Sequence, residues 1–172
     1  MKRQELEAAL ERHHGECFGW ALGCCGHDHE QAEDVLQSSY LKVLDGKATF
    51  AGRSHVRTWL FGVIWRTAQE HRRRRALGRW LGLQRLIGTP AERDPAPNPG
   101  EAFRRSESNR RLLEALRQLS PRQRDILHLV FYQELSIREA ADVLRISLGS
   151  ARTHYERGKG RLRELLRLEG TA

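Results

Sequence analysis

A proline-rich segment at residues 86–103 constrains the fold more than any other feature of this chain. It contains four of the five prolines in a sequence of 172 residues, and its apolar residues follow neither a helical nor a strand period. Proline lacks a backbone donor and disfavours a helical conformation of the residue before it, so such a segment is typical of a linker. We therefore expect two small domains, at residues 1–85 and 104–172, joined by a flexible linker.

Charge is distributed unevenly along the chain. The net charge is −4 over residues 1–52, +8 over residues 53–85, −2 over the linker and +6 over residues 104–172, which gives +8 in total. A positive surplus indicates an anionic partner, which leaves nucleic acid, a membrane surface and an acidic protein open. No apolar run approaches the roughly 20 residues of a membrane span, and the N-terminus lacks the apolar stretch of a signal peptide. We expect a cytoplasmic protein without membrane insertion.

The first domain is predicted to consist of helices. Apolar residues recur at spacings of three and four over residues 6–24, which predicts a first helix there. Asp28, followed three residues later by Gln31, is typical of the N-terminus of a second helix, which Gly46 ends. Ser54 is placed to cap a third helix.

The third helix has two candidate faces. One is apolar, and the other interleaves arginines with aromatic side chains. The second pattern suits single-stranded nucleic acid, because guanidinium groups hold phosphates while rings stack on unpaired bases. The same spacing also allows the aromatic residues to belong to the core, and both interpretations stay open here. The apolar face is Val56, Trp59, Leu60, Val63 and Ile64, and the mixed face is Arg57, Phe61, Trp65 and Arg72.

The second domain has the pattern of a helix-turn-helix. Ser120, followed by a proline, starts a new helix after a first one at residues 104–119. Ser136 and Glu139 form a capping box, and a turn at residues 145–147 leads into the last helix. Two short helices joined by such a turn are typical of this DNA-binding motif, whose second helix enters the major groove.

In this order, the motifs resemble the extracytoplasmic-function group of bacterial RNA polymerase sigma factors over nearly the full length of the chain. Residues 32–44 are similar to region 2.2 of that family, which docks on the polymerase. Residues 50–61, with the segment at 70–75, are similar to the part that captures and melts the −10 promoter element. Residues 119–125 and 135–157 resemble region 4, which reads the −35 element.

The resemblance implies an all-α initiation factor that directs core RNA polymerase to promoters through the −10 and −35 elements. It implies contacts with the β′ clamp coiled coil and the β flap of the polymerase, and control by an anti-sigma factor. No cofactor and no enzymatic activity are expected, and the sequence has no Walker loop, HExxH motif or acidic cluster spaced for two metals. The alternative is a stand-alone helix-turn-helix regulator that responds to a metal or to redox state.

The matched motifs assign candidate contacts in the first domain. A base must leave the stack before a protein can read its pairing edge, so the loop before the third helix is assigned to an extruded base. The arginine run is assigned to phosphates at the upstream edge of the opening duplex. The −10 set is Phe50, Arg53, Ser54, His55, Arg57, Phe61, Trp65, Arg72, Arg73, Arg74 and Arg75, and the polymerase-binding set is Glu33, Asp34 and Gln37.

In the second domain, the last helix is assigned to the −35 element. Arginine pairs bidentately with guanine, so Arg152 and Arg157 are the first candidates for reading a base. Other polar residues on this domain are assigned to phosphates. The recognition set is Ser150, Arg152, Thr153, His154 and Arg157, and the backbone set is Arg122, Arg138, Lys159 and Arg161.

Histidines and cysteines crowd into residues 13–29. His13 and Cys17 lie one helical turn apart, a spacing that can chelate zinc or copper. In the alternative interpretation, which we favour, Cys17 and Cys24 belong to the apolar stripe of the first helix, where a free cysteine acts as a small hydrophobe. We therefore expect no metal. The candidate ligands are His13, Cys17, Cys24, Cys25 and His27.

Overall fold

The structure is a computed structural model that describes residues 2–80 and 107–169, and these two stretches contain helices and turns without a strand. The chain divides into two compact units, Met1–Ala96 and Pro97–Ala172. The predicted all-α fold with two domains is confirmed. The predicted boundaries and the linker at residues 86–103 lie outside the described residues. Within them, no helix combines the length and the apolar character that crossing a membrane requires.

The N-terminal unit is built around a long helix that packs against two shorter ones. Its helices are α1 (Arg3–Arg12), α2 (His14–Cys24), α3 (His29–Leu44) and α4 (Val56–Trp80). The Asp28 carboxylate accepts a hydrogen bond from the Gln31 amide at 3.0 Å, which confirms the predicted N-terminus of α3. Gly46, with a φ of 71°, follows the C-terminus of α3 and turns the chain away.

The segment predicted as a single first helix forms two. The junction is His13, whose φ of −101° and ψ of 9° interrupt the helix between α1 and α2. Both of these helices contact α3. A straight helix over residues 3–24 would be about 33 Å long, which exceeds the length of the 16-residue α3 against which it packs. The break therefore allows both parts to reach the same neighbour.

The core of this unit is centred on Trp20 of α2 and Phe61 of α4. Both side chains are fully buried, and the indole Nε1 of Trp20 donates a hydrogen bond to the Phe61 carbonyl at 3.0 Å. Leu60, Val63 and Ile64 are buried beside them, as the apolar stripe of the third helix predicted. The first two positions of that stripe, Val56 and Trp59, are only half-buried.

The C-terminal unit has four helices in its described residues. They are α5 (Glu107–Arg117), α6 (Pro121–Phe131), α7 (Ile137–Leu144) and α8 (Leu148–Glu169). Both predicted N-termini are confirmed, because Ser120 forms a capping box with Gln123 and Ser136 forms one with Glu139. α8 contacts the other three helices of the unit, and the core between them contains Ile126, Leu129, Leu144 and Ala151.

Candidate nucleic-acid interface

The loop between α3 and α4 contains four of the residues assigned to the −10 element. The amide of Ala48 donates to the Lys42 carbonyl at 2.8 Å, which fixes the start of the loop. Phe50 lies against Trp59 of α4, with ring centroids 5.3 Å apart. Gly52 has a φ of 70°, a conformation that favours glycine. The structure thus brings together Phe50, Arg53, Ser54 and His55, of which Arg53 and His55 are exposed and the other two half-buried.

The start of α4 differs from the prediction by one residue. The carbonyl of His55 accepts the first helical hydrogen bond, from the Trp59 amide at 3.0 Å. The hydroxyl of Ser54 donates to the same His55 carbonyl at 3.4 Å. The prediction that Ser54 caps the helix is therefore wrong, and its hydroxyl lies beside the helix start within the candidate DNA-binding loop.

Phe61 and Trp65 of α4 are buried, with 0% and 8% of their surface exposed. The prediction that they stack on unpaired bases is wrong. The reason is that α4 packs against both α2 and α3, so that the ring of Phe61 faces the ring of Trp20 at a centroid distance of 6.3 Å. The half-buried Trp59, beneath Phe50, is the aromatic residue of α4 that adjoins the loop.

Arg57, in the first turn of α4, is paired with a carboxylate of α2. Its Nη1 lies 3.0 Å from Oε1 of Glu16, and the other carboxylate oxygen lies 2.9 Å from Nδ1 of His13. The Arg57 guanidinium also lies 6.0 Å from the centroid of the Phe61 ring. Burial favours a higher pKa of Glu16, but the hydrogen bonds from His13 and Arg57 outweigh it and hold the pKa below its ordinary value.

The arginine run from Arg72 to Arg75 is exposed. Successive residues of a helix are separated by about 100° around its axis, so four consecutive arginines cannot all face one DNA backbone. Arg72 contacts α2, because its Nη2 donates to the carbonyl of Cys24, the last residue of that helix, at 3.4 Å. The run therefore provides a positive surface on several sides of α4.

An ion pair that the sequence did not predict joins α3 to α4 next to this run. Nζ of Lys42 lies 2.6 Å from Oε2 of Glu70 and 3.1 Å from the hydroxyl of Thr67. The hydrogen bond from Lys42 lowers the pKa of Glu70. Burial lowers the pKa of the neighbouring His71, and the charge of Arg74 adds to that effect. Lys42 and Glu70 are 28 residues apart in the chain, and no pattern in the sequence indicates that they are close in space.

The outer face of α3 is polar and carries one exposed leucine. Glu33, Asp34 and Gln37 are exposed on this helix. Leu41 follows on the same face and is 53% exposed. The sequence pattern did not single out Leu41, although its distance of seven residues from Asp34 places it two helical turns along the same face. Leu41 adds an apolar side chain to this otherwise polar face.

The helix-turn-helix is formed by α7 and α8. α7 is followed by Arg145, which has left-handed φ and ψ of 52° and 48°. The hydroxyl of Ser147 accepts from the Ser150 amide at 3.1 Å and caps α8. Ala151 and Gly158 face inward and are buried, which turns the polar residues between them outward.

The recognition set lies mainly on this outward face of α8. Ser150, Arg152, Thr153 and Arg157 are exposed, and His154 is half-buried. The hydroxyl of Thr153 donates to the Gly149 carbonyl at 3.0 Å, within the helix. Arg152 and Arg157, the two arginines of the set, are both exposed.

The backbone set is more dispersed than the recognition set. Arg138 is exposed, whereas Arg122 donates from Nη1 to the carbonyl of Leu144 at 3.3 Å and so stabilises the end of α7. Lys159 is paired with Glu156 at 3.0 Å, and Arg161 with Glu164 at 3.2 Å. These acidic partners reduce the positive charge that Lys159 and Arg161 present.

Two exposed aromatic residues of the C-terminal unit were not predicted as surface. Phe131 and Tyr132 are 58% and 59% exposed. Phe131 stacks on Tyr155 of α8 at 5.9 Å, and Tyr132 stacks on His128 at 5.3 Å. Phe131 is the last residue of α6, where the neighbouring helices leave more than half of its surface uncovered.

The histidines and cysteines near the N-terminus do not assemble into a metal site. Over residues 2–80 and 107–169, no three His, Cys, Asp or Glu side chains are arranged to hold an ion. Cys17 and Cys24 are buried, and burial raises the pKa of the Cys17 thiol to about 12 although Tyr40 hydrogen-bonds to it. Burial likewise raises the pKa of Cys25 to about 11. His27 is exposed, and the geometry supports the interpretation of Cys17 and Cys24 as apolar core residues.

Comparison with known families matches both units. Residues 9–77 match the model of sigma-70 region 2, and residues 109–162 match that of sigma-70, region 4. The chain is 37% identical over 150 residues to the ECF RNA polymerase sigma factor SigX of Bacillus subtilis (strain 168), an alignment that covers 83% of this chain and 75% of SigX. It is 30% identical over 139 residues to the RNA polymerase sigma factor YlaC of the same organism, covering 80% of this chain and 79% of YlaC.

Two solved structures have a similar fold. One is the sigma factor RpoE in complex with the anti-sigma factor NepR from Bartonella quintana, with a TM-score of 0.71, 21% identity, and coverage of 95% of this chain and 98% of that one. The other is CnrH in complex with the cytosolic domain of CnrY, with a TM-score of 0.66, 18% identity, and coverage of 97% and 90%. At these identities the likeness concerns the fold.

Proposed function

The chain belongs to the sigma-70 family of RNA polymerase sigma factors, in its extracytoplasmic-function group, and from this membership we propose how its two units divide promoter recognition. As a transcription initiation factor it binds core RNA polymerase and directs it to promoter DNA. The alternative of a stand-alone regulator is not favoured, because residues 9–77 match region 2. The proposed place of action is the cytoplasm, with RNA polymerase supplying all the catalysis.

The observation that carries the proposal is the exposed polar face of α8, which a serine cap starts and buried small residues orient outward. In the proposal, Arg152 and Arg157 read base edges of the −35 element, because arginine pairs bidentately with guanine. Ser150, Thr153 and His154 contact neighbouring base edges or phosphates. Contacts with the DNA backbone are assigned to Arg122, Arg138, Lys159 and Arg161.

The loop before α4 is proposed to receive an extruded base of the −10 element. Phe50, anchored on Trp59, would form one wall of the site, with Arg53, Ser54 and His55 around it. The exposed run from Arg72 to Arg75 would hold phosphates, which adds affinity without sequence information. Phosphate contacts by arginine release counterions, so promoter binding should weaken steeply as salt rises.

Contacts with the polymerase are assigned to the outer face of α3 and to the C-terminal unit. Glu33, Asp34 and Gln37, with Leu41 added from the structure, form an acidic and apolar surface suited to the β′ clamp coiled coil. The β flap is proposed to contact the C-terminal unit. Since RpoE and CnrH, which share this fold, were each solved with a bound partner, NepR and the CnrY cytosolic domain, we include an anti-sigma factor among the partners.

Reconstitution with core RNA polymerase tests the proposal. Transcript 5′ ends should map to a set of promoters that share −10 and −35 elements and that core polymerase alone does not use. Arg152→Ala should reduce initiation at these promoters, and Arg163→Ala, which removes an exposed arginine of α8 outside the proposed set, should leave it unchanged. Tight binding of the chain to duplex DNA with no effect on core polymerase would overturn the proposal.

A further inference from the structure

We propose that Glu16 is a positioning residue for capture of the −10 element. It holds Arg57, and through Arg57 it fixes the residues that lead from the loop into α4. The inference rests on the proposed function of that loop, and it reassigns Arg57 from a DNA contact to a structural partner of Glu16.

The Glu16 carboxylate and the Arg57 guanidinium form an ion pair with a defined geometry. Glu16 is in the first turn of α2 and Arg57 in the first turn of α4, so their bond joins the beginnings of two helices that are 41 residues apart. Both carboxylate oxygens are engaged, one by Nη1 of Arg57 at 3.0 Å and the other by Nδ1 of His13 at 2.9 Å. A carboxylate held from both sides has one orientation, and it gives the guanidinium one orientation in turn.

The loop between α3 and α4 is attached to the rest of the unit at three points. Its start is fixed by the hydrogen bond of Ala48 to the Lys42 carbonyl, and its middle by Phe50 on Trp59. The pair of Glu16 and Arg57 attaches its exit to α2. Loss of that attachment should loosen the exit, where the exposed Arg53 and His55 lie, while the buried core of the unit stays intact.

The pairing with Glu16 reduces the positive charge that Arg57 presents to DNA. Its side chain is 28% exposed, less than the 43% of Glu16, and its Nη1 lies 3.0 Å from the Glu16 carboxylate. A paired guanidinium of this kind offers a phosphate little net charge. Arg53, which is exposed on the loop itself, is better placed for that contact.

The test uses holoenzyme assembled from core polymerase and the full chain, on a promoter identified by the transcript mapping above. Glu16→Gln removes the charge and keeps the shape of the side chain. Glu7→Gln is the matched control, because Glu7 is an exposed carboxylate of α1 that is paired with Arg3 at 2.9 Å. Permanganate footprinting of unpaired thymines measures melting, and a filter assay with closed duplex measures binding.

We expect Glu16→Gln to reduce melting at saturating holoenzyme by about two- to fivefold, the factor that corresponds to a partly exposed ion pair. Closed-duplex binding and the Glu7→Gln control should stay at wild-type values, and the Glu16→Gln chain should remain folded at the assay temperature. Arg57→Gln should reduce melting by the same factor, and the double variant Glu16→Gln with Arg57→Gln should reduce it no further, because both substitutions remove the same bond.

Three results would overturn the inference. Wild-type melting by Glu16→Gln shows that the pair does not position the loop. A melting defect that follows a loss of folded protein shows a role in stability alone. A loss in the double variant that equals the product of the two single losses shows that Arg57 acts independently of Glu16, as a direct contact with DNA would. If the wild-type holoenzyme melts no promoter, the proposed function fails as well, which separates that outcome from the other three.

Discussion

Gly158 of α8 approaches Gln123 of α6 so closely that a Cβ on the glycine would lie 3.1 Å from the Cβ of the glutamine and 3.2 Å from Cδ1 of Leu127. These contacts are tighter than ordinary van der Waals contact; Leu127 Cδ1 lies at the end of a side chain that can turn aside, whereas Gln123 Cβ is attached to the backbone of α6 and can move only with it. The absence of a side chain at position 158 therefore sets how closely α8, the proposed recognition helix, sits on its own unit.

We expect Gly158→Leu to destabilise the C-terminal unit by about 1–3 kcal/mol, the usual cost of overpacking a helix contact. Urea unfolding followed by circular dichroism measures the change. Gly160→Leu is the matched control, since a Cβ at Gly160 meets nothing within 4 Å. Leucine favours a helix more than glycine does, so Gly160→Leu should not lose stability; equal changes in the two variants would show that the contact with Gln123 does not limit the residue at position 158.

Phe61 and Phe131 should differ sharply in their contribution to stability. Phe61→Ala removes a fully buried ring and is expected to cost about 3–5 kcal/mol, whereas Phe131→Ala removes a ring that is 58% exposed. For Phe131→Ala we expect a loss of unfolding free energy of about 0.5 kcal/mol or less for the exposed position, plus about 0.5–1.5 kcal/mol for the lost stacking on Tyr155. The free energies of unfolding in denaturant compare the two variants. A Phe61→Ala variant of wild-type stability with impaired promoter melting would return Phe61 to the set of DNA contacts.

Arg145 adopts a left-handed conformation that costs a non-glycine residue free energy. Arg145 lies in the turn of the helix-turn-helix and has a φ of 52°. Because glycine adopts such a φ without a steric cost, Arg145→Gly should be more stable than Arg145→Ala by about 0.5–1 kcal/mol. The alanine variant is the reference because it also removes the positive charge but keeps the Cβ. Equal thermal midpoints of the two variants would show that the turn is not strained.

The bond between Lys42 and Glu70 should make part of the stability depend on pH. The pKa of Glu70 is lowered in the folded state, so its contribution is present above the unfolded value of 4.5 and is lost as the pH falls through the folded value. The Glu70 side chain is 45% exposed, so water screens the pair and weakens it. We expect Glu70→Gln to be less stable than wild type by about 0.2–1 kcal/mol at pH 7.

Urea titrations of wild type and Glu70→Gln, at neutral pH and again well below pH 4.5, measure that difference. It should be present at neutral pH and disappear in acid. Glu33→Gln, which neutralises an exposed carboxylate of α3, controls for the change in net charge. A difference that persists in acid would assign the effect to packing of the glutamine.

Arg157→Ala should lower the discrimination between promoters at one position of the −35 element. If Arg157 reads a base, changing that base pair of the promoter should cost the Arg157→Ala variant about 1–3 kcal/mol less binding free energy than it costs wild type. Competition binding with promoter variants, measured at a fixed salt concentration with holoenzyme, gives the value. An equal loss for every sequence would identify a phosphate contact instead, with a smaller dependence of affinity on salt.

The sequence by itself determined where three of the helices begin. Asp28, Ser120 and Ser136 start helices in the structure as their spacing predicts, because a cap is a contact between a side chain and a backbone amide three residues away. The order of the motifs also determined the family. Such signals depend on neighbours in the chain, and no tertiary contact is required to read them.

The tertiary structure decided which face of each helix is available. Periodicity described one side of α4 as arginines and aromatics, but only the packing of α2 and α3 against it shows that Phe61 and Trp65 are covered. It also shows that Leu41 is left exposed. The pairing of Glu16 with Arg57 joins residues 41 positions apart. A sequence period fixes the angle of a residue around its own helix, whereas burial and pairing depend on the neighbouring helix that stands at that angle.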